Sequence, residues 1–149
     1  MKSTGPLLPR LQCLTVLLCC LLFQSRIEAQ YSPYFQNYDL SQYNAGNQNW
    51  GISKAEDGQI YVANSKGLLE FDGFKWTLVT LPNKTTIRSV LAKDGKVYVG
   101  SYEEFGFWER NKFGQLSYTS LSDTLKPKGI LNEEFWQIIP IEDAIIFRS

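Results

Sequence analysis

From Trp50 to Arg148 the chain is built of short runs in which β-branched, aromatic and leucine residues alternate with polar ones, punctuated by Asp-Gly and Lys-Gly pairs. Alternation with period two is the mark of a strand with one buried face. Asp-Gly supplies the positive φ that tight hairpins need. The pattern predicts strands over 50–55, 59–63, 68–71 and 74–79, joined by turns at Asp57-Gly58, Lys66-Gly67 and Asp72-Gly73. A second set follows at 86–92, 96–101, 105–109 and 115–119, with Asp94-Gly95 and Asn111 to Gly114 as turns. After a longer connection containing Pro127 and Gly129, a third set opens with 135–141 and 144–148.

The sets are copies of one another. Asp57-Gly58-Gln59-Ile60-Tyr61-Val62-Ala63 returns as Asp94-Gly95-Lys96-Val97-Tyr98-Val99-Gly100, an offset of 37. A looser third copy, Glu142 to Arg148, places Asp143 a further 49 residues on. Trp50 stands seven residues before Asp57 and Trp136 seven before Asp143; Phe71 and Trp108 each follow their Asp by 14. A repeat of this length, made of four antiparallel strands, is the signature of a β-propeller. The expected fold class is therefore all-β, with four-stranded antiparallel propeller blades at 50–82 and 86–120 and the start of a third at 135–149, about two and a half blades. Residues 30–49, rich in Tyr, Gln, Asn and Ser, show neither period and read as an extended lead-in packed on the outside or edge of the first blade. A Tyr-rich ligand surface is the alternative for that stretch.

The N-terminus breaks the pattern. Lys2 and Arg10 precede an apolar run from Leu11 to Phe23, interrupted by Gln12 and Thr15, and then a polar end closing on Ala29. These are the three parts of a secretory signal peptide, expected over 1–29 with cleavage after Ala29 and Ile27 at the −3 position. A retained membrane anchor is the competing reading, but the run falls short of the ~20 residues a spanning helix needs. Leu18 before Cys19 is a poor lipidation context. All three cysteines, Cys13, Cys19 and Cys20, lie in this segment, so the mature chain is expected to hold no disulfide, thiolate nucleophile or Cys-based metal site.

Charge and composition narrow the chemistry. Fifteen Lys and Arg balance fifteen Asp and Glu, which argues against a sequence-independent nucleic-acid binder. Histidine is absent, removing the commonest metal ligand and general base. No Ser-His-Asp or Cys-His set is available, and no cofactor or metal is expected. The Asp-Gly pairs lack the spacing of an oxygen cage for calcium and read as turns. Neighbouring carboxylates such as Glu103-Glu104 and Glu133-Glu134 point to opposite faces of a strand and read first as solvated turn residues, not a two-carboxylate catalytic pair. Tyr102, Glu103 and Glu104 nevertheless fall in the loop between second and third strands, at the end of a propeller where ligands bind, and are the candidate ligand-binding residues. Trp50, Trp76, Trp108 and Trp136 could stack sugar rings, but the matched positions of Trp50 and Trp136 favour a shared core slot. Asn83-Lys84-Thr85 fits the N-glycosylation pattern in an expected surface loop.

Several phrases carry a family resemblance. Gly46-Asn-Gln-Asn-Trp50-Gly-Ile-Ser53, Asp57 through Gly73, Tyr102-Glu-Glu-Phe-Gly-Phe-Trp108 and Glu133-Glu-Phe-Trp-Gln-Ile138 together resemble the start of bacterial two-component regulator propeller sensors, common in Bacteroidetes-type bacteria. The resemblance covers Tyr38 to Ser149. It implies a periplasmic propeller of seven or fourteen blades, a triple-tyrosine β-sandwich, one membrane helix, and then a histidine kinase or a LuxR-type helix-turn-helix, with the wording nearer the latter. The residues up to Ser149 hold none of these later parts, so signal output is not assigned to them.

The expected function is the N-terminal part of an exported, periplasmic ligand-binding sensor, on the cell-surface side of a membrane-anchored receptor. It is not expected to be an enzyme. Its partners would be a small molecule or oligosaccharide, the remaining blades and the triple-tyrosine domain, with no nucleic-acid contact by this segment. A secreted propeller enzyme of lyase or glycosidase type, or a secreted binding or adhesion propeller, is the alternative. Two and a half blades would leave an open β-edge and an uncovered face, so the isolated chain is expected to be marginally stable or to self-associate.

Overall fold

A computed structural model describes residues 7–22, 33–125 and 132–149. The expected cleavage site at Ile27 to Ala29, the first lead-in residues 30–32, and Pro127 and Gly129 lie outside the described residues. The chain divides into two compact units, Met1–Gln36 and Asn37–Ser149.

In the first unit, helix α1 runs Leu7–Leu22. Leucine is a strong helix former, and Pro9 falls in the first turn, where the missing N–H would have no intrahelical partner anyway. Among the described residues no helix is long and apolar enough to cross a membrane.

The second unit is an all-β arrangement preceded by one helical turn. The turn, α2 at Leu40–Tyr43, is closed by a capping box: Asp39 accepts from the Ser41 and Gln42 amides, and the Gln42 side chain accepts from the Asp39 amide. The reading of residues 30–49 as wholly extended is corrected here, because the Asp-x-x-Gln signal is local and does not depend on a hydrophobic period.

Ten strands follow among the described residues. Strands β1 (Asn49–Lys54), β2 (Ile60–Asn64), β3 (Gly67–Phe71) and β4 (Trp76–Val79) form one antiparallel sheet in sequence order. A second four-stranded sheet repeats the order with β5 (Ile87–Lys93), β6 (Lys96–Ser101), β7 (Glu104–Arg110) and β8 (Leu116–Ser120). A hairpin, β9 (Gln137–Ile141) and β10 (Ala144–Arg148), is the third. The sheets are separate, and none of them closes into a barrel among the described residues.

Each sheet has two faces, and pairing assigns them. Tyr61, Ala63 and Leu68 on the first sheet meet Val97, Val99 and Trp108 on the second, with Leu81 and Ile87 completing the buried cluster. The opposite face of the first sheet, with Val62 and Leu69, is covered by Tyr43 and Ala45 of the lead-in. Tyr38 adds edge contacts to Phe71 and Trp76. The lead-in thus covers a face equivalent to the one that the second sheet turns toward the first. Buried Asn64 pins it: its carboxamide oxygen accepts from Gly46 N at 2.8 Å and Lys66 N at 2.9 Å, and its Nδ2 donates to Gly46 O and Asn49 Oδ1, each at 2.7 Å. Burying an amide costs little when every polar atom has a partner.

The second sheet meets the hairpin through Tyr98 and Phe105, which pack on Phe147, and through Phe105 on Phe135. First strands lie side by side, β5 against both β1 and β9.

Candidate functional site

Equivalent residues of the three strand sets are defined by their pairing. Gly51 pairs with Ala63 and Ser89 with Gly100, each beyond a bulge in which Trp50 or Arg88 is the extra residue. In the hairpin, Gln137 pairs with Arg148, and Trp136 donates its amide to the Arg148 carbonyl at 2.9 Å. Trp50, Arg88 and Trp136 therefore occupy one position, at the entry end of three neighbouring first strands.

Their side chains converge. The Arg88 guanidinium carbon lies 4.2 Å from the Trp50 ring centre and 4.9 Å from that of Trp136. The two indoles stand edge-on, 6.0 Å apart at 68°. Glu134 closes the group with a two-point ion pair, Arg88 Nε to Oε2 at 2.9 Å and Nη2 to Oε1 at 3.1 Å. A guanidinium set over two aromatic rings and paired at two points with a carboxylate combines cation–π and bidentate recognition, both of which suit guanidinium. Trp50 is 40% and Trp136 50% exposed. The expectation that they share a core slot is corrected: they do share a position, but a bulge and a strand entry turn it toward solvent. Trp108, by contrast, is buried, and Trp76 lies beneath Tyr38 and Tyr43 with its Nε1 buried and unpartnered.

Of the three candidate residues, two adjoin this group and one turns away. Tyr102 forms an isolated bridge with Glu134, and its hydroxyl donates to Asn132 Oδ1 at 3.1 Å. Desolvation, then the Glu103 carboxylate, raise its phenol above the ordinary value. Glu103 adopts φ +53, a conformation costing a non-glycine residue roughly 1–2 kcal/mol. It is held there by its amide donating to Glu133 O and its carboxylate accepting from Asn132 N, both at 2.7 Å. Glu104 is buried in the second sheet, accepting from Tyr118 Oη at 2.8 Å and Ser120 Oγ at 2.6 Å. Burial, with that carboxylate beside it, pushes the Tyr118 phenol far up. The reading of Glu104 and Glu134 as solvated turn residues is corrected, since Glu104 ties β7 to β8 and Glu134 is ion-paired, whereas Glu103 does stand in a turn and Glu133 is exposed.

At the opposite, hairpin-turn end, a cleft of about 370 Å³ separates the two large sheets, lined by Asp57, Tyr61, Lys93, Asp94, Lys96 and Arg110. Arg110 bridges to Glu70 and Gln59 of the first sheet there. A smaller cleft recurs between the second sheet and the hairpin, lined by Lys93, Asp94, Tyr98, Glu142 and Asp143. Its recurrence marks it as a consequence of stacking sheets. Among the described residues no cluster of three His, Cys, Asp or Glu could hold a metal ion.

Arg88 was missed by sequence because the repeat hides it. The β1–β2 turn holds three residues between the paired Ala55 and Gln59, whereas Asp94-Gly95 and Glu142-Asp143 are two-residue turns between paired ends. Counting seven back from Asp94 lands on Ile87, one short of the equivalent residue. The same extra residue means that Glu142, not Asp143, stands in the place of Asp94; both have positive φ.

No protein-family model, no curated protein and no solved structure matches this chain.

Proposed function

We propose that this chain is the opening part of a ligand-binding β-propeller in an exported bacterial sensor, and that it acts by binding, not by catalysis. One observation carries the reading: successive sheets set their first strands side by side and bring one repeat position, Trp50, Arg88 and Trp136, together at one end. Side-by-side first strands with their remaining strands running outward in order are what propeller blades require. A half-exposed aromatic pair at the strand-entry end is a binding surface of the kind such loops form. The nearby carboxylates are engaged in structure, Glu134 with Arg88 and Glu104 with Tyr118 and Ser120, which favours binding over acid–base work.

In this reading the segment 1–29 is a signal peptide, the repeats are blades, and the chain resembles the two-component regulator propeller sensors. Determining the coding sequence downstream of Ser149 tests it. Further in-frame repeats followed by a membrane helix are expected. A stop codon directly after Ser149 would overturn the receptor assignment.

A further inference from the structure

Trp50, Trp136 and Glu134 belong to the first and third strand sets, and the side chain they surround belongs to the second. Without Arg88 they would form a half-open cage: two indole faces at 68° and a carboxylate aimed between them. Every element of that cage matches an alkylguanidinium. The rings attract a cation through their faces. The carboxylate presents two oxygens at the spacing of two N–H donors. The half-exposure of both tryptophans leaves a path from solvent.

We propose that this cage is a binding site for a small alkylguanidinium ligand, filled in the resting state by Arg88, which the ligand displaces. Arg88 is then an internal competitor. Its side chain retains 19% exposure, and its stem rises from a bulge, where backbone pairing is already interrupted and the side chain can swing outward. Displacement changes the junction of all three strand sets, because the clasp now spanning them would reach from ligand to Trp50, Trp136 and Glu134 and release β5. That supplies the differential contact a sensor needs if ligand is to shift it between two arrangements. The inference rests on the proposed binding role but not on any residue beyond Ser149: a stop codon there would leave the cage intact, and an inert cage would leave the repeat assignment intact.

The test titrates methylguanidinium chloride against the neutral isostere methylurea at matched ionic strength, following the Trp50 and Trp136 indole N–H resonances. In Arg88→Ala, methylguanidinium should saturate both resonances in the millimolar range and methylurea should bind at least about tenfold more weakly, since the rings and Glu134 select charge. The unaltered protein should give the same displaced indole shifts with an apparent affinity about tenfold lower, the fraction of time Arg88 leaves the cage open. Adding Glu134→Gln to Arg88→Ala should remove the preference for the cation. Equal responses to the two compounds in a folded Arg88→Ala protein would overturn the site. Should that variant fail to fold, the unaltered protein decides alone: indole shifts with methylguanidinium and none with methylurea sustain the proposal, and identical behaviour with both overturns it.

Discussion

Two junctions join the three strand sets, and they balance apolar and polar contact differently. Between the first and second sheets the centre of the contact is apolar, with Leu68, Val99 and Trp108 fully or almost fully removed from water, and the Arg110–Glu70 ion pair and the Ser53 Oγ contact to the Ala92 amide lie at its margin. Between the second sheet and the hairpin, aromatic packing by Phe105, Phe135 and Phe147 shares the work with Arg88–Glu134, Ser89 Oγ donating to Phe135 O at 2.9 Å, and the Tyr102–Glu134 bridge. Hydrophobic burial is non-directional and scales with area, whereas polar contacts are directional and lose strength when water reaches them. The first junction is suited to permanence and the second to selection. The difference predicts unequal responses to substitution.

The largest effect should come from the apolar centre of the first junction. Trp108 lies against Tyr118 with ring centres 4.7 Å apart and fills the space between the sheets. Trp108→Ala should destabilise the chain by about 3–5 kcal/mol through lost burial and a residual cavity. Urea denaturation followed by far-UV circular dichroism measures it. A loss smaller than that of Gly100→Ala or Arg88→Ala at the second junction would reverse the proposed ranking.

At the second junction the tightest point of packing is Gly100. A Cβ there would fall 2.5 Å from Phe135 O and 2.4 Å from Ser89 Oγ. The equivalent residue of the first sheet is Ala63, whose methyl group is accommodated. Gly100→Ala should therefore cost about 1–3 kcal/mol by overpacking, although the same residue is native one sheet earlier. Differential scanning calorimetry of Gly100→Ala shows whether hairpin and sheet are in contact at all. An unchanged melting temperature would mean that they are not.

The ion pair should matter less for stability. With side-chain exposures of 19% and 25%, solvent screens Arg88 and Glu134, and exposed pairs and cation–π contacts contribute about 0.5–1 kcal/mol each. Arg88→Ala is expected to lower stability by roughly 1–2 kcal/mol, measured by the same urea curves, with a weaker dependence on added salt than the parent protein. A loss as large as that of Trp108→Ala would show that the pair is structural and erase the contrast between the junctions.

What could be read from sequence depended on how local each signal was. Strands were legible to within two residues because alternation and Asp-Gly turns are written in adjacent positions; 96–101 and 144–148 matched β6 and β10 at both ends. The separate antiparallel sheets came from the same signals. The candidate site was legible only in part. Trp50 and Trp136 could be matched, but their exposure depends on a bulge at Trp50 and a strand entry at Trp136, which show only in the pairing. Arg88 was hidden by one extra turn residue. Glu134 lies 46 residues from its partner, a pairing that no local pattern encodes. Glu104, next to half-buried Glu103, needed knowledge of Tyr118 and Ser120 across the strand.

The smallest effect should lie in neither junction. The Asp39 cap holds α2, and Tyr38 beside it packs on Trp76 over the outer face of the first sheet. Hydrogen bonds from the Ser41 side chain and amide keep the Asp39 carboxyl below its ordinary range. A depressed carboxyl stabilises the fold above its unfolded-state pKa, and that contribution is lost as pH falls through the folded value. Acidification below the ordinary carboxylate range should therefore loosen the cap and the lead-in, shifting the Trp76 indole resonance while leaving Trp108 unmoved. Asp39→Asn retains an acceptor oxygen at the cap but cannot titrate. In that variant the acid-induced shift at Trp76 should disappear while the Ser41 amide remains hydrogen-bonded. If the shift persists in Asp39→Asn, the acid response belongs to another carboxylate, and the lead-in is held by Asn64 and its aromatic contacts without help from the cap.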